Sequence, residues 1–488
     1  MTASKPESRR RWMALVVVCL AMLMNVLDLT VVNVALPKIQ HDLHFTQAGL
    51  AWVIDAYMVA FGGFLLLAGR LGDLVGRKKV FLAGLAVFTL ASMVCGFANS
   101  QGLLIGGRFV QGLSGSLCTS VILAIIATEF AEQSERAMAM SAYIFVTVAG
   151  GSIGLLAGGA ITQALNWHWI FFINLPIGVL AFALGVLLVR ENEGLGLSHG
   201  ADILGPVLVT GGLVGLVYAI VKSSSYGLGS ARTLGVGAGA LALIAAFVVL
   251  EGRLRNPIMP LRVFALRGLI SSSLVRACMF VGMYGCFFLG TLYLEHVLRY
   301  GALRTGLAFL PMTLVVAIMS MGLTARLVSA FGPRRVLLPA ILCVVAGVLM
   351  LSQISVHGNY FPLMFFAFAL LGLGMGTASV PLLTLAMANV PPADAGLASG
   401  VVNVSMQVGG ALGVAVLGTI STDRAHTLTR LGHSLPNALT GGYQVAFIVA
   451  AGCAAAAFLL ALVLLRQPSR RETEPVRERV SGRAAAEA

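Results

Sequence analysis

Two carboxylates and one guanidinium lie within long apolar stretches of this sequence. Asp28 stands eight residues before the end of its stretch, while Asp55 and Arg108 stand five and six residues after the start of theirs. At about 1.5 Å per helical residue, all three come to about 8–12 Å below the same boundary. A low-dielectric cavity favours the protonated acid, and a nearby guanidinium favours the ionised one. The pattern indicates proton coupling by Asp28, Asp55 and Arg108, with a purely structural Asp–Arg pair as the alternative.

Polar and small residues surround these three positions. Asn25 lies three residues before Asp28, on the same helical face, and Gln111 lies near the face of Arg108. Carboxylates at this depth would also favour cationic substrates, which would compete with protons. We therefore interpret Asn25, Asp28, Asp55 and Gln111 as candidate substrate-binding residues.

Two other ionisable residues have weaker claims to a function. Glu295 stands near the end of an apolar stretch and can reach the membrane interface. Arg276 stands about eight residues from the start of the same stretch, its predicted cytoplasmic end, within about 12 Å of water, so its side chain can extend to the surface.

The elements that must position these residues are membrane-spanning helices. The chain has 488 residues, 58% of them hydrophobic and 10% charged, with a mean hydropathy of +0.93. A soluble domain carries far more charge, and apolar stretches of about 20 residues recur throughout. The seven cysteines all fall in these stretches and predict neither disulfides nor a zinc site. The predicted spans are 12–36, 50–70, 79–98, 102–127, 137–163, 170–189, 203–222, 232–251, 268–294, 305–326, 334–354, 359–385, 396–420 and 443–465.

The basic residues predict how these fourteen spans are oriented. Of 32 Lys and Arg residues, 23 fall on the side of the two termini and seven on the opposite side. The side with the basic excess is the cytoplasmic one, so both termini are predicted to be cytoplasmic. The net charge of +13 is therefore mostly a topology signal, reinforced by attraction to anionic lipid, and not a sign of nucleic-acid binding.

An internal repeat divides the chain into two halves. Three short segments in the first half, beginning at Gly49, Gly76 and Gly150, return after 257, 256 and 259 residues. We predict a six-helix bundle over 12–189, a linker with two additional spans over 190–267, a second six-helix bundle over 268–466, and a disordered cytoplasmic tail over 467–488. Two such halves are a plan typical of transporters that handle substrate at their interface. The predicted fold class is an all-α polytopic membrane protein.

The segment "GRLGDLVGRKK" (69–79) joins the second and third spans on the predicted cytoplasmic side. Its basic residues are explained by anchoring to lipid headgroups, but that explanation does not cover the carboxylate at Asp73. A carboxylate at this position can pair with basic groups and so hold the cytoplasmic face of the protein closed. The predicted conformational switch comprises Gly69, Gly72, Asp73, Gly76, Arg77 and Lys78.

Glycines are dense in "GGSIGLLAGG" (150–159) of the fifth span. Small residues let helix backbones approach closely, so the simple interpretation is packing, and the sharper one is a close-approach or flexible helix between the halves. The residues concerned are Gly150, Gly154, Gly158 and Gly159.

No sequence feature predicts catalysis or a bound cofactor. The chain has no Gly-Lys pair, hence no P-loop for ATP, and no HExxH or clustered metal ligands among its eight histidines. We predict that the protein is not an enzyme, that it binds no metal, and that protons serve as its coupling ion without any cofactor.

Five segments together resemble a known family, the fourteen-helix drug:proton antiporter branch of the major facilitator superfamily. They are "DLTVVNVALP" (28–37), "GRLGDLVGRKK" (69–79), Arg108-x-x-Gln111-Gly112, "WIFFINLPIG" (169–178) and "TGLAFLP" (305–311). The resemblance implies a major facilitator fold, proton-driven export by alternating access, proton-linked roles for Asp28 and Arg108, and a conformational role for Asp73 with Arg77. Leu155 departs from the branch, which usually has proline there, and Leu74 stands where an arginine is common.

The sequence thus predicts proton-coupled efflux of lipophilic drugs or antibiotics, cationic ones among them. The alternatives are a dedicated exporter of one endogenous metabolite or antibiotic, an importer on the same scaffold and, less favoured, a membrane-embedded enzyme or sensor. The expected partners are a small lipophilic substrate and membrane lipid, with no nucleic acid and a monomeric state. The expected location is the bacterial cell (inner) membrane, which the chain crosses many times.

Overall fold

A computed structural model describes residues 5–130, 132–191, 194, 196, 204–227, 229–254, 257, 266–388, 390 and 395–465. Throughout these ranges the regular structure is helical. Thirteen helices among the described residues are long and apolar enough to cross a membrane. A fourteenth predicted span is present as a series of shorter helical segments. The predicted tail at 467–488 lies outside the described residues.

The first half contains six spans and two short helices. They are α1 (Lys5–Asp42), α2 (Gln47–Leu50), α3 (Trp52–Val75), α4 (Arg77–Gly96), α5 (Gln101–Glu129), α6 (Gln133–Ala164), α7 (Trp169–Phe172) and α8 (Asn174–Leu188).

Two helices follow, and then the second half. The two are α9 (Leu204–Tyr226) and α10 (Ala231–Arg253). The second half consists of α11 (Arg267–His296), α12 (Ala302–Ala308), α13 (Leu310–Ile318), a π-helical segment (Met319–Leu323), α14 (Thr324–Phe331), α15 (Pro333–Leu351), α16 (Leu363–Met387), α17 (Ala395–Arg430) and α18 (Leu435–Leu464). Among the inserted helices, α9 packs against α3 of the first half and α17 of the second.

The tenth predicted span, 305–326, is not the single helix that its hydropathy suggests. It breaks at Phe309, just before Pro311, and again where the π-helical segment begins at Met319. Proline lacks the N–H that a continuous helix needs, and Gly322 adopts a φ of +98° that other residues rarely adopt. Hydropathy alone missed the interruption because all the segments are apolar.

The first helix is longer than the predicted 12–36. It continues through Pro37 to Asp42. Proline inside a membrane helix is tolerated when neighbouring groups satisfy the backbone around it. The extension brings the Lys38 ammonium to the carbonyl of Thr162, to which it donates a hydrogen bond at 2.6 Å.

Close contacts in the two halves follow the sequence repeat. A Cβ at Gly112 would lie 2.1 Å from the Tyr57 carbonyl oxygen, and a Cβ at Gly372 would lie 2.3 Å from that of Met312. The two junctions Gly76 and Gly332 both have positive φ, at +114° and +83°. The same pairs of helices therefore meet through the same small residues in both halves.

The two halves touch at one end of the bundle, which we name the closed face and define by Leu155, Gly159, Ala302 and Gly306. A Cβ at Gly159 would lie 2.7 Å from the Ala302 carbonyl oxygen, and a Cβ at Gly306 would lie 2.5 Å from that of Leu155. The amide of Leu303 also donates to the side-chain oxygen of Gln163 at 3.3 Å. Backbones from the two halves thus meet here without intervening side chains.

Gly159→Val is expected to open the closed face, because the added side chain cannot fit against α12. The distance between spin labels at Lys79 and Phe331, both well exposed at the opposite end, should then shift to shorter values. Double electron–electron resonance in a background without the seven cysteines measures this shift. Gly151→Val is the matched control, because nothing lies within 4 Å of a Cβ at Gly151 on the same helix. A distance distribution identical to the parent's would show that this contact does not hold the face closed.

Candidate functional site

Asp28 lies at the centre of a buried hydrogen-bond network and is 1% exposed. One carboxylate oxygen accepts hydrogen bonds from the side-chain amides of Gln111 at 2.8 Å and Asn174 at 3.0 Å. The other accepts from a guanidinium nitrogen of Arg108, which forms an ion pair with it. Both oxygens have donors, so the ionised form of Asp28 is well accommodated here.

Arg108 is held on every side by the first half. Its Nε donates to the carbonyl of Val53 at 2.9 Å, and Nη1 donates to the side-chain oxygen of Gln111 at 2.9 Å. The guanidinium lies over the Tyr57 ring, 4.6 Å from its centroid. Gly112 makes this possible, since only glycine lets α5 approach the backbone of Tyr57 so closely. The structure thus brings Asp28, Arg108 and Gln111 together.

Two members of the network were not singled out in the sequence. The hydroxyl of Ser92 accepts from Gln111 at 2.8 Å and from Asn174 at 3.4 Å. Asn174 belongs to "WIFFINLPIG", where an amide inside an apolar helix was the available signal. Ser92 gave none, because serine is common in membrane helices.

Asp55 is separate from this network. It is 0% exposed, and neither of its carboxyl oxygens has a hydrogen-bond partner among the described residues. It follows Val53, which binds Arg108, by two residues, so its side chain points about 200° around α3 from that contact. The three ionisable residues share a depth but do not form one cluster.

The face of α3 that carries Asp55 packs against the second half. Gly62 lies two turns further along the same face, and a Cβ there would be 3.2 Å from Cβ of Gln407 on α17. Met58 lies between them, with its sulfur 3.1 Å from the Cβ position of Gly410 on α17. Asp55 is therefore a buried acid at the contact between the halves.

A cavity of about 1510 Å³ lies between the two halves. Its wall combines apolar side chains with amides and hydroxyls from α1, α11 and α17. It reaches Asp73, Arg77 and Glu251 at one end, which we name the mouth, and it extends at the other end to Leu155 of the closed face. The cavity thus opens on the side of the 69–79 segment, the side that the basic residues predict to be cytoplasmic.

The structure places the four candidate substrate-binding residues in different positions. Asn25 lines the cavity, whereas Asp28, Asp55 and Gln111 are buried behind its wall. Asn25 and Asp28 differ by about 60° around α1, which turns Asp28 towards α5. Neither Asp28 nor Asp55 lines the cavity in this conformation, and their role in binding a cationic substrate stays a prediction.

The predicted conformational switch lies at the mouth. Asp73 and Arg77 form an ion pair at 3.4 Å, with 50% and 29% of their side chains exposed. Lys78 donates to the carbonyl of Val186 at 2.7 Å, and a Cβ at Gly72 would lie 2.4 Å from Val121 on α5. Gly69 lines the cavity, and Gly76 makes the turn into α4 with its positive φ. An exposed pair of this kind adds little stability, so its proposed importance is conformational.

The glycines of the fifth span serve two different contacts on a continuous helix. A Cβ at Gly154 would lie 1.9 Å from the Thr30 hydroxyl, and one at Gly158 would lie 2.9 Å from Val31, both on α1. Gly150 also faces α1, where a Cβ would lie 3.1 Å from the Leu23 side chain and 3.3 Å from that of Val26. Gly159 instead meets the second half at the closed face. The glycine run therefore serves both packing against α1 and close approach between the halves.

Comparison with known proteins identifies the family. The model of the Major Facilitator Superfamily matches residues 18–414. The chain belongs to the major facilitator superfamily. This superfamily consists of transporters, and the chain is a multi-pass protein of the bacterial inner membrane, as predicted.

Relatives within the superfamily are resistance and export proteins. The chain is 39% identical over 462 residues to the puromycin resistance protein pur8 of Streptomyces alboniger, covering 93% of this chain and 92% of pur8. It is 35% identical over 411 residues to the cephamycin export protein CmcT of Amycolatopsis lactamdurans, covering 84% of each. The predicted resemblance to drug exporters of the superfamily is thereby confirmed.

A solved structure shows the same fold. A bacterial homologue of the human lysosomal transporter Spinster, in an inward-facing and unoccupied conformation, superposes with a TM-score of 0.65. The match covers 96% of this chain and all of that one, at 17% identity. The predicted major facilitator fold is confirmed by this superposition together with the family match.

Proposed function

We propose that this protein exports lipophilic drugs or antibiotics from the bacterial cytoplasm by alternating access, driven by protons that move inward. The observation that carries the proposal is the cavity between the halves, open at the mouth and sealed at the closed face. A transporter of this design binds its substrate in the cavity and then rocks to expose it on the other side. The puromycin and cephamycin proteins among its relatives supply the class of substrate.

Proton coupling is supported by Asp55. An ionised carboxylate without donors in a dry interior is costly, whereas a neutral acid costs much less. If the halves separate along α3 and α17 at the closed face, water from the outer side reaches Asp55, which can take up a proton there, and the return to the conformation that opens at the mouth carries this proton inward for release to the cytoplasm. The burial of this carboxyl thus alternates with the conformation, as coupling requires. Asp28, held by Arg108, Gln111 and Asn174, instead keeps the first half together in this conformation.

The energy available is adequate for export. Each charge that crosses the membrane releases about 2.3 kcal/mol per 100 mV, so one or two protons can drive a useful gradient of drug. In this proposal protons are the coupling ion, no other cofactor takes part, and a monomer in the lipid bilayer is the working unit. The protein transports its substrate and does not transform it.

A second candidate is a dedicated exporter of one antibiotic or metabolite. Two relatives favour it, because the names of pur8 and CmcT each specify a single compound or class, whereas the multidrug resistance protein Stp among the relatives favours a broad exporter. Breadth of substrate separates the two candidates.

Transport in liposomes tests the proposal. Purified protein is reconstituted with a pH-sensitive dye trapped inside, a pH gradient is imposed, and puromycin or a cephamycin is added. We expect substrate to move against its gradient and protons to move in the opposite direction, both only where the protein is present. Substrate flux that ignores the pH gradient would contradict proton coupling, and no flux of either compound or of a wider drug panel would contradict export.

A further inference from the structure

We propose that Arg276 binds an anionic group of the substrate, so that the cavity selects lipophilic compounds that carry a carboxylate or a similar acidic group. This inference rests on the proposed export function and names the substrate class of the same cavity. Arg276 lies on α11, nine residues from its start at Arg267 and thus about 13 Å along the helix.

Arg276 has no acidic partner among the described residues. Its Nη2 donates to the Met406 sulfur at 3.7 Å, and its guanidinium lies 5.4 Å from the centroid of the Phe280 ring. A thioether is a weak acceptor, and Nε, which is buried, has no partner within the described part of the chain. A guanidinium in such surroundings has unused donors for a ligand.

The surroundings of Arg276 suit an acidic ligand. Tyr284, Asn403 and Gln407 also line the cavity in the second half and are uncharged. The guanidinium offers parallel N–H donors that match the two oxygens of a carboxylate. The face of Phe280 and the apolar wall would hold the lipophilic part of the compound.

The rest of the cavity wall does not favour a cation. Among the described residues, the acids that line it are Asp73 and Glu251, both at the mouth, and Asp73 is already paired with Arg77. The buried acids Asp28 and Asp55 lie behind the wall. A cationic substrate would meet Arg276 without a compensating carboxylate beside it.

Three probes with one fluorophore and different charges test the inference. Dansylglycine is an anion, its methyl ester is neutral, and dansylcadaverine is a cation. Binding to the full-length protein in nanodiscs of phosphatidylcholine is followed by dansyl fluorescence, with protein-free discs as the background. We expect dansylglycine to bind at least tenfold more tightly than its ester or the cation.

Substitutions test whether Arg276 causes the preference for dansylglycine. Arg276→Gln should bind dansylglycine and its ester equally, and Arg276→Lys should keep part of the preference, because lysine retains the charge but not the paired donors. Arg304→Gln is the matched control, since Arg304 also lies over an aromatic ring, that of Tyr300 at 3.9 Å, but does not line the cavity. It should bind like the parent.

Three outcomes would contradict the proposed role of Arg276. Equal binding of dansylglycine and its ester by the parent, a preference for the cation, or a preference that survives in Arg276→Gln would each overturn the inference. A failure of export itself would show as absent flux in liposomes for every compound. Selective binding of dansylglycine would remain in that case, so the two failures are distinguishable.

Discussion

Asp55→Asn is expected to abolish export driven by a pH gradient while leaving the protein folded. Asparagine has the size of a neutral aspartic acid, and within the described part of the chain the two carboxyl oxygens of Asp55 have no hydrogen bonds to lose. The variant cannot take up or release a proton at this position, so coupling is lost. In liposomes its gradient-driven flux should fall to the level of protein-free vesicles, while exchange of substrate at equal pH continues.

A matched carboxyl on the surface provides the control for this experiment. Glu191 is 67% exposed and pairs with Lys79 at 3.8 Å, so Glu191→Gln should transport like the parent. Gradient-driven flux that survives in Asp55→Asn but is lost in Asp28→Asn would assign the proton to Asp28. Flux that survives in both variants would refute proton coupling through either acid.

Asp28→Asn is expected to destabilise the fold strongly as well as to stop transport. The substitution leaves the buried Arg108 without its counter-charge, and breaking a buried ion pair on one side costs about 3–5 kcal/mol. Arg108→Gln should be destabilising for the corresponding reason. The double variant, which has no net buried charge, should be more stable than either single variant but still inactive. Thermal unfolding of the purified proteins measures all three.

The exposed ion pair Asp73–Arg77 serves as the comparison for the buried pair Asp28–Arg108. Its coupling energy in the same double-mutant cycle should stay below about 1 kcal/mol, because solvent screens it. If Asp28→Asn unfolded at the parent's temperature, the buried pair would not hold the first half together, and its role would be confined to transport.

The sequence predicted the membrane fold, the repeat and a common depth for Asp28, Asp55 and Arg108, because apolar length and depth are read directly from residue spacing. It did not show which of the two acids pairs with Arg108. Depth along a helix follows from counting residues, whereas direction around it depends on which neighbour each face meets. The difference in direction around α1 also explains why Asn25 lines the cavity and Asp28 does not.

Other features needed the three-dimensional arrangement. The break at Phe309 and the π-helical segment at Met319 lie inside a continuous apolar stretch, so only Pro311 and Gly322 marked them. Ser92 and Asn174 join the network because α4 and α8 bring them to Asp28. Arg276 could be explained by extension to the surface until the cavity showed it on the wall without an acid beside it.

The network around Asp28 has a consequence for how the molecule moves. It joins five helices, α1, α3, α4, α5 and α8, through one set of charged and polar contacts. The repeat positions of Asp28 and Asp55, near Gly285 and Met312, carry no charge, and the second half contains the broken α12–α14 segment. We therefore expect the two halves to differ in stiffness. In the proposed transport cycle the first half would turn as a rigid block, and the bending that passes a substrate through would be concentrated in the second.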